Sequence, residues 1–183
     1  MKKYFCFIPA KSKSKRVAQK NKQMLGTKPL FYYPTKLALD SKLFKQDEIV
    51  FSSDSEQILD EANKVGNIFS IKRDLEFIND NIGIKDVILN FLDLYPTYKK
   101  YDAIIIILPS SPFTRVKDLK NCIKIFEEDN FPTVLSMSKI SNSVFQSMYF
   151  SGKTVVPNFP EFFFVKIKFW KKIISSQWLC PDY

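Results

Sequence analysis

A short basic segment near the amino terminus carries the residue types best suited to binding an anion. The segment reads IPAKSKSKRVAQKN and directly follows the apolar run YFCF. Its cations and hydroxyls are Lys11, Ser12, Lys13, Ser14, Lys15, Arg16 and Lys20. Like charges this close repel one another, whereas a triphosphate would neutralise them through charge-assisted hydrogen bonds. Spacing alone is compatible both with phosphate binding and with a solvated basic loop, because basic loops are common and the glycines of a Walker or dinucleotide fingerprint are missing.

The composition excludes several kinds of chemistry. The chain has no histidine, which removes Ser/His/Asp and Cys/His nucleophile systems and the commonest general base at neutral pH. Its three cysteines, Cys6, Cys122 and Cys180, are widely spaced and include no CxxC pair, which indicates reduced structural thiols. We therefore expect lysine, arginine, carboxylate or metal to carry any chemistry.

The net charge of +9 implies an anionic partner. Nucleic acid, a membrane surface, or a polyphosphate ligand with an acidic co-substrate would each satisfy it, and charge alone does not choose among them. The apolar run at the amino terminus ends at Pro9 and is too short for a secretion signal or a membrane span. We therefore expect a cytoplasmic protein.

The elements that must position the basic segment alternate between strand and helix over the first 140 residues. Short apolar runs predict strands at Tyr4–Ile8, Glu48–Phe51, Asn67–Ile71, Ala103–Leu108 and Thr133–Met137. Longer segments with apolar residues every three or four positions predict helices at Pro29–Leu43, Glu56–Val65, Ile84–Tyr95 and Lys117–Glu128. The run AIIIIL is typical of a strand buried on both faces, so we expect an α/β fold with a mainly parallel central sheet.

Local signals predict where two of the helices begin, bend and end. Pro34 lies inside the first predicted helix and should kink it. Asp54 and Gln57 have the spacing of a capping pair at the start of the second, and Gly66 lies where that helix should stop.

The alternation of predicted strands and helices ends after residue 140. Gln146–Phe150 and Lys153–Val156 flank Ser151-Gly152 and predict a hairpin. From Phe159 onward the chain is dense in aromatic residues and lysine without a clean period. We therefore predict a nucleotide-binding domain over residues 1–158 and a divergent aromatic and basic tail over residues 159–183.

Five segments in register resemble the acylneuraminate cytidylyltransferases, which make CMP-sialic acid and related CMP-nonulosonates. IPAKSKSKRVAQKN resembles the family signature IPARxGSKxxxxKN, and GTKPLFYYPTKLALDSKLF resembles GKPLIAYTIEAALxSGLF. IVFSSDSEQILDEANKVG is similar to VIVSTDDEEIAEIAKKYG, KRDLEFIND to RPAELASD, and LPSSPFTRVKDL to QPTSPLRTxxDI. The resemblance covers residues 4–138 and implies a Rossmann-like three-layer nucleotidyltransferase fold.

The resemblance also implies a reaction and a set of site residues. The anomeric hydroxyl of an acidic nine-carbon sugar would attack the α-phosphate of CTP, pyrophosphate would leave, and Mg²⁺ would assist. Position by position, the implied nucleotide site is Lys11, Ser14, Lys15, Lys20, Asn21, Ser53, Asp54, Arg73, Asp80, Ser110, Ser111 and Pro112, with Lys11 and Lys15 as catalytic cations. Simpler roles exist for some. Ser53 and Asp54 could cap the following helix. Arg73 and Asp80 could form a surface pair, and Pro112 could shape a turn.

This sequence departs from the family pattern at several positions. Lys13 replaces a glycine or asparagine, which would cost about 1 kcal/mol if the backbone φ there were positive. Leu108 replaces a glutamine, and no late DIDxxxD element is present, so the metal ligands stay unknown. A catalytically inactive nucleotide-binding relative and a polyanion-binding protein are the alternative functions. We expect no nucleic-acid or membrane partner, and a homodimer is left open.

Overall fold

A four-stranded parallel sheet forms the centre of the structure, a computed structural model that describes residues 2–14, 17–79, 81–128, 132–137, 147–152 and 154–160. The strands are β1 Tyr4–Pro9, β2 Met24–Leu25, β3 Lys28–Pro29, β4 Ile49–Ser53, β5 Phe69–Lys72, β6 Ala103–Ile106, β7 Met148–Ser151 and β8 Thr154–Pro157. The α-helices are α1 Tyr32–Ser41, α2 Glu56–Asn63, α3 Ile84–Leu94 and α4 Val116–Glu128. The central sheet has the order β5-β4-β1-β6.

All neighbouring strands of the central sheet run parallel. Phe7 of β1 lies opposite Val50 of β4 on one side and Ile106 of β6 on the other. Long helical connections join these strands, as a parallel sheet requires. The predicted α/β fold with a parallel sheet is therefore confirmed. The chain places β4 and β5 on one side of β1 and β6 on the other, so the strand order reverses beside β1.

Side chains from alternate positions of β1 enter two different hydrophobic clusters, as strand geometry dictates. Cys6 and Ile8 join a mainly aliphatic cluster with residues of α1, α2 and α4. Phe5 and Phe7 join a mainly aromatic cluster with residues of α3 and of the 3-10 helix Pro96–Lys100. The sheet is therefore the middle of three layers.

Three of the local predictions around the helices are wrong. The first helix begins at Tyr32, so Pro34 lies in its first turn, where a missing N–H removes no intrahelical bond. The second helix has Ser55 at its N-cap, because Asp54 binds a tertiary partner instead. It ends at Asn63, before Gly66; a Cβ at Gly66 would come within 2.6 Å of Leu39 Cδ1, so close packing explains that glycine.

The last predicted strands of the sheet also differ from the structure. The described residues 132–137 contain no strand, although Thr133–Met137 was predicted as one. Among the residues that the structure describes, β6 is therefore an edge strand of the sheet. Its residues are half-buried and Ile106 is 42% exposed, so the prediction of burial on both faces is wrong.

The chain divides into two compact units, residues 1–135 and 136–183. The described part of the second unit is the antiparallel hairpin of β7 and β8, close to the predicted one, although Gln146 and Lys153 lie outside the described residues. The tail beyond Pro160 also lies outside them, and the domain boundary at residue 158 stays a prediction. No helix in the described part of the chain is long and apolar enough to cross a bilayer.

Candidate functional site

A cavity of about 260 Å³ opens at the carboxyl ends of β1, β5 and β6. Its lining residues are Pro9, Lys11, Ser14, Lys20, Asn21, Arg73, Phe77, Asn79, Ile82, Ile84, Val87, Leu108, Pro109 and Ser110. The cavity lies beside β1, where the strand order reverses, and open α/β sheets bind their ligands in the crevice at such a point. Topology alone therefore marks this cavity as a candidate ligand site.

The loop after β1 is bound to the end of β4 through both backbone and side chains. Ala10 N donates to Ser52 O at 2.8 Å, and Ser53 Oγ donates to Ala10 O at 2.7 Å. Two residues later, Ser12 N donates to Asp54 Oδ1 at 2.6 Å, and the Ser12 hydroxyl donates to Asp54 Oδ2. The three consecutive residues Ser52, Ser53 and Asp54 thus determine the path of this loop.

Asn21 holds the same loop from its other side. Its Nδ2 donates to Lys11 O at 2.7 Å, and its own carbonyl accepts from Phe31 N at 3.1 Å. Asn21 is only 5% exposed, and its side-chain Oδ1 has no hydrogen-bond partner among the residues that the structure describes. Asn21 therefore links the loop after β1 to the start of α1.

Arg73 brings a buried cation to the cavity from the end of β5. It is 8% exposed, with Nε and one terminal nitrogen donating to Ser52 Oγ and Ser52 O, each at 3.3 Å. Burial lowers the pKa of Arg73, and the negative charge of Asp54 opposes that shift. Within the described part of the chain, this guanidinium donates hydrogen bonds to neutral oxygens, and Asp54 acts on it through its charge without a hydrogen bond. An anion in the cavity would add a second counter-charge.

The remaining part of the lining is mostly apolar. Phe77 and Ile82 lie in the connection between β5 and α3, Val87 lies in the first turns of α3, and Leu108 and Pro109 follow β6. Val87 is buried in the aromatic cluster, whereas Leu108 is 42% exposed. The lining therefore contains two sets of residues, named here by their chemistry. The cationic wall is the set Lys11, Ser14, Lys20, Asn21 and Arg73, and the apolar wall is the set Phe77, Ile82, Ile84, Val87, Leu108 and Pro109.

Comparison with protein families gives this arrangement a context. The model of the family described as cytidylyltransferase matches residues 5–156, a span that contains every residue lining the cavity. The chain belongs to the cytidylyltransferase family. The family suggested by the five sequence segments is thereby confirmed.

Several curated cytidylyltransferases are distant relatives of this chain. The pseudaminic acid cytidylyltransferase of Campylobacter jejuni is 28% identical over 160 residues, which are 87% of this chain and 68% of the relative. The CMP-N,N'-diacetyllegionaminic acid synthase of Legionella pneumophila is 32% identical over 138 residues, 73% of this chain and 57% of the relative. The N-acylneuraminate cytidylyltransferase of Escherichia coli is 28% identical over 138 residues, 75% of this chain and 32% of the relative. The chain thus spans between 32% and 68% of the length of these relatives.

Two solved structures share the fold of this cytidylyltransferase-family chain. CMP-2-keto-3-deoxy-manno-octonic acid synthetase, solved in complex with CTP, aligns with a TM-score of 0.56 and 18% identity over 70% of this chain and 48% of that one. A cytidylyltransferase from Leptospira borgpetersenii aligns with a TM-score of 0.51 and 20% identity over 69% of this chain and 50% of that one. Both support the predicted three-layer α/β architecture.

The structure separates the predicted site residues of this cytidylyltransferase-family chain into three groups. Those that line the cavity are Lys11, Ser14, Lys20, Asn21, Arg73 and Ser110. Those that lie outside its lining are Ser53, Asp54, Ser111 and Pro112. Lys15 and Asp80 lie outside the described residues. Ser53 and Asp54 bind the loop after β1, and Ser111 N closes a turn onto Leu108 O at 3.0 Å.

The geometry also decides one simpler interpretation and one departure from the family pattern. Arg73 is not part of an exposed surface pair, because it is buried against Ser52. The described residue Lys13 does not have a positive φ; the non-glycine residues of the described chain that do are Gln19 and Lys42. The lysine at position 13 therefore carries no left-handed strain, and the loop accommodates it.

Sequence reasoning missed Ser52 as a positioning residue and Ser12 as the partner of Asp54. The sequence does contain a signal for the first: Ser52 and Ser53 end an otherwise apolar strand, and both are buried. Buried hydroxyls at a strand end require partners, which here are Arg73 and Ala10. Phe77 and Ile82 carry no sequence signal for a cavity, because apolar residues are equally common in cores. The sequence singles out Leu108 only as a departure from the family glutamine, and it lines the cavity.

The described residues do not fit a protein-built magnesium site. No group of three or more His, Cys, Asp or Glu side chains in the described parts of the chain could hold a metal ion. Mg²⁺ prefers carboxylate oxygens, and none lines the described cavity. Asp54 is close to the loop, but both of its oxygens accept hydrogen bonds from Ser12.

Proposed function

We propose that this chain binds CTP in the cavity and transfers its cytidylyl group to a sialic-acid-type nonulosonic acid. The observation that carries the proposal is the buried Arg73, which lines the same cavity as Lys11 and Lys20 at the switch point of the sheet. Membership of the cytidylyltransferase family supports CTP as the ligand.

The two walls of the cavity suit the two parts of a nucleoside triphosphate. In the proposed complex, the triphosphate contacts Lys11, Ser14 and Lys20, whose ammonium and hydroxyl groups donate to phosphate oxygens. The cytidine lies against the apolar wall, where Phe77 and Leu108 offer surface for a flat base. Lys15 completes the set of proposed catalytic cations.

The reaction needs charge cancellation more than a base. The anomeric hydroxyl oxygen of the sugar forms a bond to the α-phosphorus of CTP, and the bond from that phosphorus to the bridging oxygen of the β-phosphate breaks. Pyrophosphate leaves with the bonding electron pair, and the hydroxyl proton is released. Cations preorganised around the phosphates stabilise the charge that accumulates on them, which explains how a chain without histidine could serve.

The sugar class is inferred from charge and from relatives. Relatives of this chain are named for pseudaminic, legionaminic and N-acylneuraminic acids. The net charge of +9 suits an acidic sugar beside an anionic nucleotide. Two further predictions belong to the same proposal: magnesium is a cofactor, and the protein acts in the cytoplasm. The homodimer stays open.

Thermal shift and pyrophosphate release test the proposal together. CTP at one hundred times its dissociation constant should stabilise the fold by roughly 2.7 kcal/mol, and GTP, whose purine is larger than the pyrimidine, should give a smaller shift. Incubation with CTP, Mg²⁺ and each of the three sugars should release pyrophosphate. A shift without release would indicate a nucleotide-binding relative that does not catalyse. Equal shifts with every polyanion would contradict the proposal and support polyanion binding.

A further inference from the structure

Asp54 connects two parts of the cationic wall that are far apart in sequence. It accepts two hydrogen bonds from Ser12, 42 residues earlier in the chain. Its negative charge also raises the pKa of Arg73, 19 residues later, against the lowering caused by burial. Yet Asp54 does not line the cavity, and neither does Ser12. This geometry therefore does not support a direct contact between Asp54 and a ligand in the cavity.

We propose that Asp54 is a positioning residue that sets the conformation of the phosphate-binding loop through Ser12. The inference rests on the proposed function and deepens it by naming what holds the loop in place. With Ser12 drawn toward the end of β4, its neighbours Lys11 and Ser14 face the cavity instead. Asp54 thus orients two phosphate donors without contacting phosphate.

The pattern of hydrogen bonds explains why a carboxylate is needed at this position. Ser12 offers two donors, its backbone N–H and its hydroxyl, and a carboxylate is an acceptor at both oxygens. Both bonds are charge-assisted, so they resist the repulsion among the neighbouring lysines. The negative charge also compensates part of the cationic charge that the wall concentrates when no phosphate is bound.

A competing interpretation treats Asp54 as an internal mimic of phosphate. A carboxylate that accepts from a loop N–H and a hydroxyl resembles the oxygen of a bound phosphate, and CTP would then displace it. The geometry favours positioning, because the donors of Ser12 are directed to Asp54 at a place outside the cavity lining. The two interpretations predict opposite changes in CTP affinity when the carboxylate is removed.

The test uses three variants of the full chain and three ligands. Asp54→Ala removes both acceptors, whereas Asp54→Asn keeps an acceptor for Ser12 N–H and a neutral partner for its hydroxyl. Asp60→Asn, on the exposed face of α2, removes the same charge away from the loop and is the matched control. Binding of CTP, inorganic tripolyphosphate and cytidine is measured by calorimetry or competition, and folding by thermal unfolding.

Asp54→Ala should weaken the binding of CTP and of tripolyphosphate by roughly tenfold, the loss expected for one charge-assisted hydrogen bond. Asp54→Ala should bind cytidine as tightly as the wild type does. Asp54→Asn should recover part of the lost affinity for CTP and tripolyphosphate, and Asp60→Asn should keep the wild-type affinity for all three ligands. An equal loss for cytidine would mean a general structural role and would overturn the proposal. Unchanged or tighter tripolyphosphate binding would also overturn it, the latter in favour of the phosphate mimic.

Amide hydrogen exchange gives a second measurement that needs no ligand. The Ser12 amide should be protected in the wild type and should exchange faster in Asp54→Ala, with partial protection in Asp54→Asn. Equal exchange in wild type and Asp54→Ala would overturn the inference, even in a chain that binds CTP. Conversely, a wild type that protects Ser12 but binds neither CTP nor tripolyphosphate would refute the proposed function and leave the loop contact established.

Discussion

The two walls of the cavity are held in place by different forces. The cationic wall is positioned by hydrogen bonds from the end of β4: Ser52 bonds to Arg73, Ser53 to Ala10 and Asp54 to Ser12. Behind the apolar wall stands the aromatic cluster, in which Val87 packs with Phe5, Phe7 and Phe91. One wall is specified by directional hydrogen bonds and the other by nondirectional packing.

This difference determines how each wall should respond to mutation. Hydrogen-bonded cations concentrate unfavourable charge in the folded protein, so removing one should harm ligand binding more than stability. Apolar side chains that pack on the core contribute to both stability and binding, in proportion to the area that they bury. Variants of each wall, measured for both properties, therefore test whether the two walls have separate roles.

Replacing Arg73 should give the largest separation between binding and stability. Arg73→Met keeps most of the side-chain volume but removes the charge, whose burial lowers the pKa of Arg73. Loss of a buried charge partner should weaken CTP binding by at least about 2 kcal/mol, a roughly thirtyfold loss of affinity. The free energy of unfolding should change by less than about 1 kcal/mol, because the relief from desolvation offsets the lost hydrogen bonds to Ser52.

Arg115→Met is the matched control for that variant, since Arg115 is an exposed arginine paired with Asp118 on the surface. Calorimetric titration with CTP and chemical unfolding supply the two measurements. Unchanged CTP affinity in a stably folded Arg73→Met protein would contradict the assignment of Arg73 to the cationic wall.

Replacing Lys20 should have a smaller effect that depends on salt. Lys20→Ala removes a partly exposed lysine side chain from the cavity lining, and we expect CTP to bind roughly fivefold to tenfold more weakly at low ionic strength. The difference should shrink as salt is added, because exposed charges are screened. Lys13→Ala is the control, since Lys13 is exposed in the same loop and does not line the cavity. Equal losses in both variants would indicate only a general field of positive charge.

The layers of the fold were predictable from sequence where the signals were local. The described helices α2, α3 and α4 begin within one residue of their predicted starts, because amphipathic spacing is repeated over two or more turns. Thr133–Met137 shows the limit of this reasoning. A short β-rich apolar run indicates only that its residues are compatible with a strand, and a strand forms when a partner pairs with it.

The site was predictable only in part, for a related reason. The loop of lysines could be recognised because its charges are adjacent in the chain. The role of Asp54 could not be predicted, because a local helix cap and a distant serine compete for the same carboxylate. The sequence alone does not show which residues distant in the chain lie close together in the fold. The position of Arg73 against Ser52 likewise depends on the register of β4 and β5, which local patterns do not specify.

Replacing Leu108 should have the smallest effect and should be independent of charge. Leu108→Ala removes apolar surface from a side chain that is already 42% exposed, so we expect a loss of about 1 kcal/mol or less, up to roughly fivefold. The loss should be the same for CTP and for cytidine and should not change with salt, because the side chain contacts neither charge nor phosphate in the proposed complex. Titrations of both ligands at two salt concentrations measure this.

Leu94→Ala provides the comparison for Leu108, because Leu94 is a 57% exposed leucine on α3 that does not line the cavity. If Leu108→Ala weakened CTP but not cytidine, the phosphates would have to reach the apolar wall, and the division of the cavity would be wrong. If both leucine variants bound both ligands like the wild type, the base would lie elsewhere. A loss confined to Leu108 and equal for the two ligands would place the cytidine moiety on the apolar wall, with the triphosphate left to Lys11, Lys20 and Arg73.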